Sequence, residues 1–294
     1  MTEFQAGFLD VPSLLESSQP AARRGWLAYG VGLFLLVVLG SAILSARSTE
    51  MAAAVEALSS VAMVGLTVGM GVIMWKTVRR QRGELQQLEA VSELVQLRRW
   101  QEAAMLLQAL LGAPMRSPAA RIQALIYLTS VLARYHRFDD ARAVQEYILE
   151  HVRLDPGTEH GLRLGRAMAM LREDHLFDAD RAINELRRMD AAGDSAGLAL
   201  IEIYRDVKTG HPNEAIELFS EKLDILRQGL GHRVGDAYVL IAKAHDLLGQ
   251  TTQAAIVYEK ATLLAPLSEM QRRYPEVAGL AEKYRPAGAP AEAA

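Results

Sequence analysis

Seven histidines carry the side chains best suited to acid–base or metal chemistry near neutral pH: His136, His151, His160, His175, His211, His232 and His245. No two of them stand in the H-E-x-x-H spacing that brings two imidazoles onto one helix face. The 294 residues include no cysteine, which excludes disulfides, thiolate zinc sites and a cysteine nucleophile. There is no P-loop and no G-x-S-x-G elbow. The glycines of "GVGLFLLVVLG" lack the strand, turn and helix context of a dinucleotide loop. The acidic runs "FDD" and "REDH" fall at turns, where Asp caps helix starts. These residues make no catalytic constellation. The expectation is a protein that is not an enzyme, with no cofactor and no metal.

The charges with a readable job lie elsewhere, in "MWKTVRRQR", residues 74–82. An uncharged run ends there at Trp75 and meets Lys76, Arg79, Arg80 and Arg82. Residues 57–75 carry no charge, and neither do residues 26–45. As helices rising about 1.5 Å per residue, each spans roughly 30 Å, the thickness of a hydrocarbon core. Arg23 and Arg24 precede the first run, and the loop "ARSTEM" that follows it holds only Arg47 and Glu50. By the positive-inside rule both flanks are cytoplasmic, and Trp26 and Trp75 sit at the same interface. A cleaved signal peptide is the rival for the first run. That run is longer than a usual signal core, and no A-x-A site follows it. Glu56 reads as a headgroup-level residue, because the 19 uncharged positions after it suffice to cross. Gly65 and Gly69 have G-x-x-x-G spacing, which lets helices approach closely, either the chain's own first span or a second copy in a homodimer.

Stepping along the rest of the chain, apolar residues recur at three- and four-residue spacing from 84 to about 284, and nothing alternates with period two. No proline lies between Pro20 and Pro114, so the second span is expected to run on as one helix through "VRRQRGELQQLEAVSELVQL", with Gly83 its one weak point. Residues 1–22 are expected to be a loose cytoplasmic tail. The strongest pattern is "GDAYVLIAKAHDLLGQTTQAAIVYEKATLLAP", residues 235–266. It has Tyr238, small residues at Ala242 and Ala254, a turn at Gly249, then Tyr258, Ala261 and Pro266. Second-helix openings recur upstream with Ala103, Ala141, Ala182 and Ala215, spaced with Ala254 at 38, 41, 33 and 39 residues. The third unit, "REDHLFDADRA", is the irregular one.

This pattern resembles the tetratricopeptide repeat, whose ideal period is 34 residues. His245 and Ala242 stand where that family usually has Tyr and Gly. The resemblance implies an all-α architecture: an N-terminal two-helix transmembrane hairpin, then a solenoid of four to five helix pairs. The expected division is tail 1–22, hairpin 23–82 with spans at about 26–45 and 52–75, repeats 83–266, a capping helix 267–284 that Pro275 breaks or kinks, and a disordered tail 285–294. It further implies a groove lined by the first helices, with Ser130, Arg134, Tyr204, Lys208, Lys243 and Asp246, that takes a partner's peptide or helix. The cations among these favour an acidic segment. From residue 83 onward there are 25 basic and 30 acidic residues, a balance that speaks against nucleic acid.

The function this implies is that of an adaptor or scaffold in a bacterial-type inner membrane. The termini and the repeats are cytoplasmic, the basic cluster touches lipid, and the solenoid holds a protein partner. Two alternatives stand beside it. One is an accessory subunit of a transport or secretion complex. The other rests on the order of elements alone, which resembles the HemY-type membrane proteins linked to haem metabolism.

Overall fold

A computed structural model describes residues 9–19, 32, 49–189 and 195–284, with the backbone alone for 49–67, 70, 73, 77 and 232. Among the described residues the chain is helical and without strands. It divides into two compact units, residues 1–140 and 141–294. Together they supply a helical repeat of paired helices.

In the first unit, α1 (Val11–Ser17) is followed by α2 (Thr49–Gln96), a single helix of 48 residues that passes through Gly83 without a break. The expected continuation of the second apolar run into the repeats is therefore present. After α2 come α3 (Trp100–Leu111), α4 (Pro118–Arg134) and the start of α5 (Phe138–His151). The end of α2 packs on α3 and α4. Its Glu84 carboxylate accepts the backbone N–H groups of Arg116 and Ser117, at 3.0 and 3.1 Å.

The N-terminal segment is not a loose tail where it is described. Leu9, Val11 and Leu14 are buried, and α1 packs on α3. Ser17 Oγ donates to the Leu111 carbonyl at 2.8 Å. Arg121 Nε donates to Ser18 Oγ, and its Nη2 to the Leu15 carbonyl, both at 3.0 Å. Leu9, Val11 and Leu14 give no periodic signal in so short a segment, because the groups it packs against lie about a hundred residues away.

The second unit holds the rest of α5, then α6 (Pro156–Arg172), α7 (Leu176–Met189), α8 (Ala196–Thr209), α9 (Pro212–Leu230), α10 (Val234–Leu247) and α11 (Thr251–Leu264). Here α6 pairs with α7, α8 with α9 and α10 with α11, while α6, α8 and α10 touch one after another. The first helices α4, α6 and α8 start at Ser117, Asp155 and Ser195, whose side chains accept the N–H of the third residue on. Each such cap contributes about 1 kcal/mol.

The turn inside each pair is the same object five times. Arg98, His136, Asp174, Gly210 and Gly249 all have a left-handed backbone. The next residue's N–H reaches back to the carbonyl five positions earlier: Arg99 to Leu94, Arg137 to Leu132, His175 to Met170, His211 to Asp206 and Gln250 to His245, at 2.8–2.9 Å. This is the Schellman closure of a helix C-terminus. Five residues after each left-handed position stands a buried alanine: Ala103, Ala141, Ala179, Ala215 and Ala254.

The third repeat thus takes Ala179, not Ala182, as its contact alanine, and Ala182 is buried one turn later. Counted from turn to turn the repeats are 38, 38, 36 and 39 residues long. The irregular third unit disappears, and every unit exceeds the ideal 34.

Beyond α11 the expected single capping helix is a broken one. Helix α12 (Leu267–Arg273) ends at Tyr274, a 3-10 turn covers Pro275–Val277, and α13 (Leu280–Tyr284) follows. The proline explains the break, since it lacks the N–H that would continue α12.

The expected membrane hairpin is not shown. Among the described residues no helix is long and apolar enough to cross a membrane. The first run, 26–45, lies outside the described residues apart from Gly32, and the second lies within α2 with its side chains described only from Val68. Arg23, Arg24 and Trp26 also lie outside them.

Candidate functional site

The candidate site is the face of the second unit built by the first helices α6, α8 and α10. It is filled by the chain's own segment from Arg273 to Tyr284.

Three anchors hold that segment. Asp236, near the start of α10, is fully buried and accepts Arg273 Nη1 at 2.7 and 2.8 Å, with Arg233 Nη2 at 3.3 Å. A buried carboxylate is tolerable only with such a partner. Tyr274 then enters between helices and is itself fully buried. Its ring meets the Tyr204 ring of α8 edge-on, with centroids 5.0 Å apart. The Arg172 guanidinium of α6 stands 5.8 Å from its centroid, within cation–π range. Glu276 forms the second anchor. It accepts Tyr204 OH at 3.0 and 3.2 Å and pairs with Lys208 at 3.0 Å. Asp246, on the last turn of α10, is the third. It accepts Tyr284 OH at 2.8 Å and Lys283 at 3.0 and 3.1 Å. Between the anchors Val277, Leu280 and Ala281 are buried.

The electrostatics follow this geometry. Burial pushes the Tyr274 hydroxyl up to about 12, with the Asp236 charge adding to it. Burial, then the charge and hydrogen bond of Glu276, push Tyr204 far above the ordinary phenol value. Burial would raise Asp246, but the bonds from Tyr284 and Lys283 and the Lys283 and Lys243 charges outweigh it and hold the carboxyl below its ordinary value.

Of the six groove residues expected from the repeat pattern, four come together in this way: Tyr204, Lys208, Lys243 and Asp246. Lys208 also pairs with Asp174 at 2.9 Å, and Lys243 with Asp246 at 3.6 Å. Ser130 and Arg134 lie on α4 in the first unit. Ser130 is exposed and donates to the Ile126 carbonyl at 3.4 Å. The Arg134 guanidinium stands 5.8 Å from the centre of the Trp100 ring.

Residues missed in the sequence are Arg172, Asp236, Arg273, Tyr274, Glu276, Lys283 and Tyr284. One signal was on view for Asp236: an acid two residues before Tyr238, inside the apolar face of a first helix. The others face partners 37 to 102 residues away, beyond any local pattern.

In the first unit the basic stop of α2 is exposed. Trp75 lies open beside Arg79, whose guanidinium is 5.4 Å from the ring centre. Lys76, Val78, Arg80 and Arg82 are exposed too. Val68, Val72 and Met74 continue the open apolar surface. Gly69 has no heavy atom within 4 Å of where a Cβ would stand, and the side-chain surroundings of Gly65 lie outside the described residues. No group of three or more metal-capable side chains occurs among the described residues. Six histidines are accounted for locally: His136 against Phe138, His151 on Tyr147, His160 with Ser195, His175 with Arg142, His211 with Thr209 and His245 with Gln250.

The chain matches no protein-family model, and no curated protein is similar to it.

Proposed function

We propose that the protein is a membrane-anchored adaptor of tetratricopeptide-like build, whose first-helix face holds a segment of a protein partner at the cytoplasmic surface. The observation that carries this reading is the occupied face itself. Arg172, Tyr204, Lys208, Asp236 and Asp246 already grip a polypeptide segment with ion pairs, hydrogen bonds and a buried aromatic ring. A surface that binds one segment this way has the chemistry to bind another, and no reaction is needed. Confinement to a membrane raises the local concentration of the partner, so a modest affinity suffices.

Two features support the anchoring. Val68, Val72, Met74 and Trp75 leave apolar surface open on α2, directly before Lys76, Arg79 and Arg80. Single exposed apolar residues are ordinary, but four within eight positions, ending in tryptophan and cations, fit a lipid interface. The second is the docking of residues 9–18 on α3 and α4. A chain that leaves this contact at residue 19 and returns to it by Leu111 crosses a membrane an even number of times or not at all. Two spans with both flanks cytoplasmic satisfy that.

The test is crosslinking followed by affinity recovery of the full-length protein from native membranes. It is run beside a Lys208→Glu, Asp246→Lys variant whose melting temperature has been checked. A partner held by the wild type and lost in the variant is expected. Recovery of the same partners with both would sink the groove as the binding face.

A further inference from the structure

We propose that residues 273–284 are a tethered competitor. They occupy the first-helix face of the second unit in place of a partner segment, and the partner is recognised by the same order of chemistry: a cation, then an aromatic ring, then a carboxylate. This rests on the adaptor reading and adds to it the partner's character and a built-in restraint.

The argument starts from charge. The cations Lys208 and Lys243 alone imply an acidic ligand. In the folded chain they ask little of one, because Lys208 is matched by Asp174 and by the segment's own Glu276, and Lys243 by Asp246. The face has two carboxylates that need donors from the bound segment: Asp236 takes Arg273, and Asp246 takes Lys283 and Tyr284. Lifting the segment would leave Asp236 with Arg233 alone, on a face stripped of its apolar cover. Any occupant that replaces it must bring a cation to Asp236, a ring to the slot beside Tyr204, and an acceptor for Tyr204 OH and Lys208. A purely acidic segment offers only the last.

Two observations favour release over permanent capping. Pro275 separates the segment's one helix, α13 of five residues, from α12 of seven, and helices this short cannot hold themselves in isolation. The Tyr274 hydroxyl is buried with no hydrogen-bond partner, so the fit is incomplete at its centre. A partner whose ring is phenylalanine, or whose hydroxyl finds an acceptor, fits that slot better than the chain's own tyrosine.

The test uses the full-length protein in detergent or lipid discs and a labelled synthetic peptide of residues 267–284. Hydrogen exchange of the wild type is the first measurement. Amides from 276 to 284 should exchange at least tenfold faster than those of α8 and α10, and excess peptide should speed them further. Equal rates for the segment and α10 would mean that it leaves only on global unfolding, and the proposal would be overturned. Peptide binding is the second. An Arg273→Ala, Tyr274→Ala chain should bind the peptide at least tenfold more tightly than the wild type, and Asp236→Asn added to it should abolish binding. Equal binding by wild type and opened chain overturns the proposal. Should that variant fail to fold, the exchange rates of the wild type decide. A segment that never opens while membrane crosslinking still recovers a partner at this face defeats the competitor and leaves the adaptor standing. A segment that opens while no partner is recovered defeats the adaptor alone.

Discussion

Tyr274 shows how much one atom decides. Its ring is anchored by Tyr204 and Arg172, yet its hydroxyl is buried without a partner. An unpaired buried polar group costs about 1–3 kcal/mol. Tyr274→Phe should therefore leave stability at pH 7 unchanged or raise it by roughly 1 kcal/mol, read from urea unfolding. The pH profile adds an independent check. A phenol held at about 12 in the folded chain, against 10.0 when free, stabilises the fold fully below 10, and that stabilisation is lost as pH rises through 12. The phenylalanine variant should lose less stability across that window, and equal losses would count against the buried hydroxyl. Asp246 behaves in the opposite sense. Its carboxyl is held below the ordinary 3.8, so its stabilisation is present above that value and is lost as pH falls through the depressed one. Asp246→Asn should melt lower than wild type at pH 6, and the gap should close under strong acid. None of this was visible along the sequence. Tyr204, Lys208, Lys243 and Asp246 could be picked out because repeat register places them on one face, but their partners come from a segment that carries no repeat.

Among the elements, the intra-pair turn is the most informative. The alanine spacing was legible because small residues mark where paired helices touch. The third register was not, since Ala179 and Ala182 lie one turn apart and both are buried. What settles it is the left-handed residue five positions upstream, and three of the five such residues are Arg98, His136 and Asp174, which lack the glycine that marks the other two turns in the sequence. Only glycine adopts that conformation without cost. Gly249→Ala should thus destabilise the second unit by about 1 kcal/mol, a purely backbone effect, because a Cβ there meets no neighbour. Gly83→Ala, inside α2 and equally open, should do the reverse and add roughly 1 kcal/mol. If both changes moved the melting temperature the same way, the turn assignment would be wrong. The corrected register has its own test. Ala179→Leu overpacks the closest approach of α7 to its partner and should cost about 1–3 kcal/mol, more than Ala182→Leu. The reverse order would restore the irregular reading.

At the scale of the whole molecule, the contact between the two ends of the apolar region constrains topology without reference to charge. The positive-inside rule places Arg23, Arg24 and the 76–82 cluster on one side of a membrane by counting cations. The docking of Leu9, Val11, Leu14 and Ser18 on α3 and α4 reaches the same conclusion by a different route, since buried side chains cannot face each other from opposite compartments. The two lines have separate failure modes. Charge counting fails if the runs at 26–45 and 57–75 are not spans. The docking fails if residues 9–18 do not return to Arg121. Single cysteines can be added freely, because the chain has none. In intact inverted vesicles, which expose the cytoplasmic face, cysteines at Thr2 and at Glu292 should both react with an impermeant maleimide, and one at Ser48, in the loop between the runs, should react only after the membrane is opened. A disulfide between cysteines placed at Ser18 and Arg121 should then form in the same membranes. Labelling of Thr2 from the opposite side to Glu292 would overturn both lines together. Labelling of Ser48 without opening the membrane, with the disulfide still formed, would leave the docked N-terminus intact and remove the hairpin. In that case the open surface of Val68, Val72, Met74 and Trp75 would need another partner than lipid.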